Sequence, residues 1–258
     1  MRGFFVACFP RGGRARRFSP GLMKSEVRYM AKNYDVIIIG AGPAGIFTAL
    51  EIADRGLSVL ILEKGLDIRD RIALNKNRTA PASDRRANIV SGWGGAGAFS
   101  DGKLTLTTDY GGNLDDYMNK GELSRLISYV DSIYCQFGGA DRKVYGDEHL
   151  EELHALKRKA AAADLAFIPA RIRHLGTDVN SEILSHMRDS LPNNVTVIAK
   201  TPVDTILADK DGSVLGVVAG GAVAAGDGHG LAKVLPDALQ QHHKALVNED
   251  GVGAVAAA

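Results

Sequence analysis

Short apolar runs, separated by glycine turns and helical stretches, set the pattern of this chain. Val36 to Ile39 and Ser58 to Leu62 are apolar runs of strand length, and the Ala-rich stretch Ile46 to Arg55 between them is helical and ends at Gly56. Further apolar runs predict strands at 195–198, 203–207 and 214–218. This alternation of strand, helix and strand predicts an α/β fold built on a parallel sheet.

The middle of the chain has a different pattern, with apolar residues at helical spacing. It predicts helices at 114–137, 149–164 and 177–191. Gly138 and Gly139 end the first of these, and Thr177 or Asp178 caps the last. We therefore expect a mainly helical region between the early and the late strands.

A glycine turn follows the first strand directly. Gly40, Gly42 and Gly45 have the G-x-G-x-x-G spacing between a strand and a helix, which is typical of a Rossmann-like dinucleotide site. Gly40 allows the tight turn, Gly42 lets a pyrophosphate approach the backbone, and Gly45 lets the helix pack on the strand. The N–H groups at the helix start face the phosphates. The alternative is a β-α-β unit that binds no phosphate.

An acidic residue ends the second strand. Glu63 lies near the offset at which Rossmann-like sites place the acid that accepts hydrogen bonds from a ribose hydroxyl. A carboxylate there disfavours a 2′-phosphorylated ribose, since two negative charges would oppose each other. Glu63 suits either FAD or NAD.

The stretch 66–88 is charged and poor in apolar residues. It predicts a surface helix and loop. Arg69 or Arg71 has the charge to bind a phosphate, but a solvated helix face is the favoured interpretation for both.

A second glycine-rich segment runs from Ser91 to Leu104. Its glycines permit close approach of the backbone to a flat or charged ligand, and Trp93 and Phe99 argue against a flexible surface loop because large rings are usually buried. Asp101-Gly102 forms a turn into a strand at 103–108. Lys103 is a candidate for placing a positive charge near a reactive ring, although a solvent-facing lysine is the favoured alternative.

Composition and charge exclude several classes of function. The net charge of +1 over 258 residues gives no reason to expect a nucleic-acid partner, and we see no segment that is long and apolar enough to span a membrane. Cys8 and Cys135 form no C-x-x-C pair, and this cysteine usage is typical of the cytoplasm. His149 and His154 do not share a helix face, so we predict no metal site.

Residues 1–32 are rich in Arg and Lys and contain the single acid Glu26. This basic leader suits an organellar transit peptide, a nucleic-acid-binding arm, or an untranslated or disordered extension before a functional start at Met30. We favour the extension.

Together these motifs resemble the uncharacterised FAD-dependent dehydrogenases related to glutathione-reductase-type flavoproteins. The resemblance is carried by Ile39 to Gly45 with Glu63-Lys64, by Ser91 to Leu104, and by Arg173 to Asp178. It runs from about Lys32 to Val218. It implies an FAD-binding Rossmann-like domain with an inserted substrate domain.

The resemblance also implies the site residues. Pyrophosphate contacts would come from the glycine turn, ribose contacts from the end of the second strand, flavin contacts from the second glycine segment, and adenine contacts from the strand at 202–203. The resulting cofactor-binding set is Gly40, Ala41, Gly42, Pro43, Ala44, Gly45, Glu63, Lys64, Gly94, Gly95, Ala96 and Val203. His174 and Lys103 are the candidate catalytic residues, with a hydrogen-bonded structural role as the alternative for His174.

Family members are longer, and after 218 this chain continues into an Ala/Gly-rich stretch, so we expect a truncated or frameshifted product. The predicted organisation is a leader (1–31), an FAD-binding segment (32–112), a helical insert (113–194), returning strands (195–218) and a poorly specified tail (219–258). We predict an FAD-dependent oxidoreductase of a small-molecule substrate, with NAD(P)H as a possible electron donor. The alternatives are a catalytically incomplete nucleotide-binding fragment and an NAD-dependent dehydrogenase.

Overall fold

The computed structural model describes residues 5–8, 28–29, 33–146, 148–208, 214–220 and 222–225. They fold into two compact units: the first holds the described residues up to 96 and from 187 onward, and the second holds residues 97–186. The described strands are β1 (Phe5–Cys8), β2 (Arg28–Tyr29), β3 (Val36–Ile39), β4 (Val59–Leu62), β5 (Lys103–Thr105), β6 (Val144–Tyr145), β7 (Ile172–His174), β8 (Val195–Ile198), β9 (Val203–Ala208), β10 (Val214–Ala219) and β11 (Ala222–Ala225). The described α-helices are α1 (Pro43–Ile52), α2 (Ile68–Lys76), α3 (Ala82–Val90), α4 (Lys120–Tyr134), α5 (Leu150–Ala162) and α6 (Thr177–Asp189).

The central sheet of the first unit has the strand order β1-β3-β4-β8. Strands β3, β4 and β8 run parallel, and α1 connects β3 to β4, which confirms the predicted β-α-β unit and α/β fold. The helix begins at Pro43, earlier than the predicted Ile46, because proline suits the first helical position, where no N–H partner is needed. Gly56 ends the following 3-10 turn with a φ of 68°.

Both faces of this sheet are covered, which explains its continuous apolar strands. All four residues of β4 are buried, as are Ile37 and Ile38 of β3. Strands β9 and β10 form the predicted antiparallel pair but belong to a second sheet of order β2-β11-β10-β9. Val214 and Val217 of β10 share one core cluster with residues of β3 and β4.

The second unit contains a small antiparallel sheet of order β5-β7-β6 together with α4 and α5. Helix α4 is shorter than the predicted 114–137, because a capping box between Asn119 and Glu122 fixes its start. Gly138 interrupts the π-helical turn Cys135–Gly139 with a φ of 126°. Strand β5 likewise covers only the first part of the predicted 103–108 run.

The predicted leader and tail are described only in part. Strand β1 pairs with β3, β2 pairs with β11, and β11 pairs with β10. The other residues of the leader, and those beyond Ala225, lie outside the described part of the chain.

Candidate functional site

The glycine turn lies at the carboxyl end of β3, where parallel α/β sheets place their ligands. Gly40 has a φ of 96°, which favours glycine, and its N–H donates to the carbonyl of Leu62 at 2.8 Å. A Cβ on Gly45 would collide with the carbonyl oxygen of Gly40 and approach Ile38 Cγ2 to 3.2 Å. The helix therefore packs on the strand as expected for a glycine at 45.

Helix α1 begins directly at this turn. Gly42 is its N-cap, with extended backbone angles (φ −75°, ψ −179°), and no side chain caps the first turn. The first N–H groups of a helix have no partner within the helix, and they carry its positive dipole end. This arrangement fits a bound phosphate group, whose oxygens would accept from those N–H groups.

Glu63 is buried between the glycine turn and the loops that follow. Its side chain is 5% exposed and accepts from three backbone N–H groups: Ala41 at 2.7 Å, Gly65 at 2.8 Å and Gly92 at 3.0 Å. A carboxylate has about four acceptor positions, so these bonds leave capacity for one further donor such as a ribose hydroxyl.

The second glycine segment packs directly on the first. The N–H of Gly94 donates to the carbonyl of Ala41 at 2.7 Å, and a Cβ on Gly95 would lie 3.4 Å from Gly42 Cα. Gly95 has a φ of 64°, and the next residue, Ala96, is exposed. We call residues 40–45 and 92–96 together the glycine cradle.

The surface interpretation of Arg71 is wrong. Its side chain is 0% exposed, and it donates to the carbonyls of Trp93 at 2.5 Å, Gly95 at 2.9 Å and Asn88 through Nε at 3.2 Å. Burial lowers the pKa of the Arg71 guanidinium to about 10, and the nearby Glu63 charge partly offsets this effect. The neighbouring Arg69 is exposed and pairs with Asp189, as the solvated interpretation predicts.

The other two predicted cofactor contacts lie near Glu63. Lys64 is exposed and lines an open cavity of about 360 Å³ together with Asn88 and Lys200. The chain from 200 to 203 runs beside the Glu63 loop, since Lys200 N donates to Gly65 O and Thr201 N to Glu63 O. Val203 packs at the edge of the core cluster that contains Leu62.

The two candidate catalytic residues are cross-strand partners in the second unit. Lys103 of β5 lies opposite His174 of β7, and both are exposed. The ammonium of Lys103 is 2.6 Å from the carboxylate of Asp101, and this hydrogen bond holds the pKa of Asp101 below its ordinary value. Their predicted catalytic roles stay predictions.

We expect Lys103→Met to raise the pKa of Asp101 toward its ordinary value, because the substitution removes the cation that stabilises the ionised carboxylate. An NMR titration of the Asp101 carboxyl carbon measures the change. Lys120→Met, which removes a lysine paired with Asp109 instead, serves as the control and leaves Asp101 unchanged. A pKa of Asp101 that is equal in wild type and Lys103→Met contradicts this assignment.

Sequence patterns missed the buried polar residues that hold the glycine-rich segments. In the first unit these are Arg71 and Asn88, whose amide donates to the carbonyl of Arg71 at 3.0 Å. In the second unit Asn180, 5% exposed, donates to the carbonyls of Gly97 and Ala98. Arg173 pairs with Asp131 at 2.6 Å. The motif Arg173 to Asp178, on which the family resemblance partly rests, therefore has a structural role.

The described residues lack two kinds of feature. None of the helices in the described ranges is long and apolar enough to cross a membrane. Within the same ranges, no group of three His, Cys, Asp or Glu side chains is placed to hold a metal ion.

The first unit is thus a Rossmann-like nucleotide-binding unit with a two-part glycine cradle. Residues 35–98 match the family model described as FAD dependent oxidoreductase (DAO), and this range covers the glycine turn, Glu63 and the cradle. The match confirms FAD as the predicted cofactor and does not favour the NAD-dependent alternative.

Two relatives show the same local similarity. An uncharacterized protein of Clostridium beijerinckii is 43% identical over 70 residues, which are 27% of this chain and 13% of that protein. A digeranylgeranylglycerophospholipid reductase of Methanosarcina mazei is 36% identical over 64 residues, or 25% of this chain and 16% of the reductase. The matched region thus spans less than a fifth of either relative.

Solved structures resemble the chain only distantly. An L-amino acid deaminase from Proteus vulgaris aligns with a TM-score of 0.45 and 14% identity, over 80% of this chain and 49% of the deaminase. A 3-ketosteroid-delta4-(5alpha)-dehydrogenase from Rhodococcus jostii aligns with a TM-score of 0.46 and 16% identity, over 80% and 46%. The β-α-β unit and the family match carry the fold assignment.

Proposed function

We propose that this chain is an FAD-dependent oxidoreductase whose first unit binds the nucleotide part of FAD in the glycine cradle. The observation that carries the proposal is the N-terminus of α1 at Gly42, which no side chain caps, with the second glycine segment packed beside it. The match of residues 35–98 to an FAD-dependent family supports it.

The residues present fit the cofactor. The first-turn N–H groups of α1 would bond the pyrophosphate, and the remaining acceptor position of Glu63 would hold a ribose hydroxyl. The exposed residue Ala96 would face the flavin. Bound FAD supplies a ring that accepts a hydride or electrons, while the chain provides binding, orientation and local charge.

We propose, more finely, that the protein is one of the FAD-dependent dehydrogenases related to glutathione-reductase-type flavoproteins. The segment Ser91 to Leu104 supports this subclass, since it supplies the second backbone approach that an NAD site would not need. A small-molecule substrate belongs to the same proposal, with NADH or NADPH as the candidate electron donor and Lys103 or His174 as candidate catalytic residues.

The absorption spectrum of the purified protein tests this function. We expect a visible flavin spectrum, either as purified or after FAD is added, that bleaches anaerobically with dithionite and with NADH or NADPH. A protein that stays colourless and takes up no added FAD would overturn the proposal. A protein that binds FAD and is bleached by dithionite, but by neither nicotinamide, would favour a binding-only fragment or another electron donor.

A further inference from the structure

One buried guanidinium supports the second part of the glycine cradle. Arg71 lies on α2, outside the cradle, yet its side chain is wholly buried and donates to backbone carbonyls of residues 88–95. The Nη2 group of Arg71 also donates to Asn88 O. The planar guanidinium presents its donors in a fixed fork, so donation to several carbonyls of one segment sets the path of that segment.

These bonds also fix which way the cradle peptides face. A trans peptide points its C=O and its N–H in opposite directions, and the described residues contain no cis peptide bond. Because Arg71 holds the carbonyl of Trp93, the N–H of Gly94 faces away from Arg71 and reaches Ala41 O. By the same geometry, the bond from Arg71 to Gly95 O turns the N–H of Ala96 away from Arg71. Ala96 is an exposed residue.

Glu63 closes the network from the opposite side. Its carboxylate accepts from the N–H of Ala41, and the carbonyl of Ala41 accepts from the N–H of Gly94. The carboxylate also accepts from the N–H of Gly92, the residue before Trp93, whose carbonyl Arg71 holds. The guanidinium therefore donates to carbonyls in and just before the second glycine segment, while the carboxylate accepts from N–H groups of both glycine segments. Hydrogen bonds in such a chain strengthen one another in a buried setting.

We infer that Arg71 is the positioning residue of the FAD site: it holds the second glycine segment against the glycine turn and directs the Ala96 N–H toward the bound cofactor. This inference rests on the proposed function, since the ligand it positions for is FAD. Arg71 is wholly buried and acts through the backbone that it holds, so we assign it no part in electron transfer.

Arg71→Lys tests the inference. Lysine keeps the positive charge but lacks the planar fork, so it cannot hold the carbonyls of residues 88, 93 and 95 together. Arg69→Lys is the matched control, because Arg69 lies on the same helix but is exposed and bonds Asp189. Arg71→Met is a second variant that removes the charge while keeping much of the side-chain length.

The first measurement needs no cofactor. In the protein without FAD, we expect Arg71→Lys to speed hydrogen exchange of the Gly92 and Gly94 amides about tenfold or more, while amides of β3 and β4 keep their wild-type rates. A purely structural role would instead speed exchange throughout the first unit. Uniform acceleration, or none, would overturn the inference.

The second measurement uses FAD itself. We expect Arg71→Lys to bind FAD about tenfold more weakly and to change the visible circular dichroism of the bound flavin at saturation, with Arg69→Lys equal to wild type. Unchanged affinity and dichroism would overturn the inference, as would loss of folding in both Arg71 variants. A wild type that binds no FAD overturns the proposed function, while the exchange comparison still decides whether Arg71 holds the cradle.

Discussion

Replacing Gly42 by valine is expected to weaken FAD binding about 100-fold or more, which corresponds to about 2.7 kcal/mol. The residue caps α1 where the pyrophosphate would approach, and a glycine at this position of the motif lets the pyrophosphate come close to the backbone, which a branched side chain would prevent. Its backbone angles are extended, which valine adopts readily, so the substitution does not force an unfavourable φ at this position.

Titration of the cofactor-free protein with FAD measures this loss. Trp93 is the single tryptophan and is fully buried in the first unit, so its fluorescence reports whether that unit stays folded. Gly42→Ala should give an intermediate affinity because its side chain is smaller. Gly121→Ala, on exposed α4, is the control that leaves FAD binding unchanged. Full affinity in Gly42→Val would place the pyrophosphate elsewhere.

The glycine turn was predictable because local chemistry specifies it. The spacing of Gly40 and Gly45 follows from a positive φ and from a close contact between helix and strand, and both requirements act within a few residues. The apolar runs of β3 and β4 were predictable for a similar reason: strands buried on both faces must be apolar along their whole length.

Arg71 was not predictable because its partners are distant in sequence and are backbone atoms. A charged residue in a charged stretch is usually exposed to solvent. Sequence patterns of side chains do not indicate a hydrogen bond to the backbone carbonyl of Trp93 or Gly95. The available signal was the nearby acid, because Glu63 ends a wholly buried strand and a buried carboxylate needs a countercharge. The strand pair β9 and β10 shows the same limit, since its hairpin was visible but its membership of a second sheet was not.

Glu63→Gln is expected to lower the free energy of unfolding of the first unit by about 2 to 4 kcal/mol. The carboxylate accepts through both oxygens, with Ala41 on one and Gly65 and Gly92 on the other. A glutamine amide has the same shape but only one acceptor atom, so its NH₂ group must face at least one of these buried N–H donors. The substitution also removes the negative charge opposite Arg71.

Urea unfolding of the cofactor-free protein, followed by Trp93 fluorescence, measures that change in the unit where Glu63 lies. Glu182→Gln makes the same chemical change on an exposed face of α6 and should shift the unfolding free energy by no more than about 0.5 kcal/mol. If Glu63→Gln matches that control, the carboxylate does not hold the cradle together. A large loss instead explains why an acid is needed at the end of β4 before any ribose binds: the same side chain that would select the cofactor also fixes the backbone that receives it.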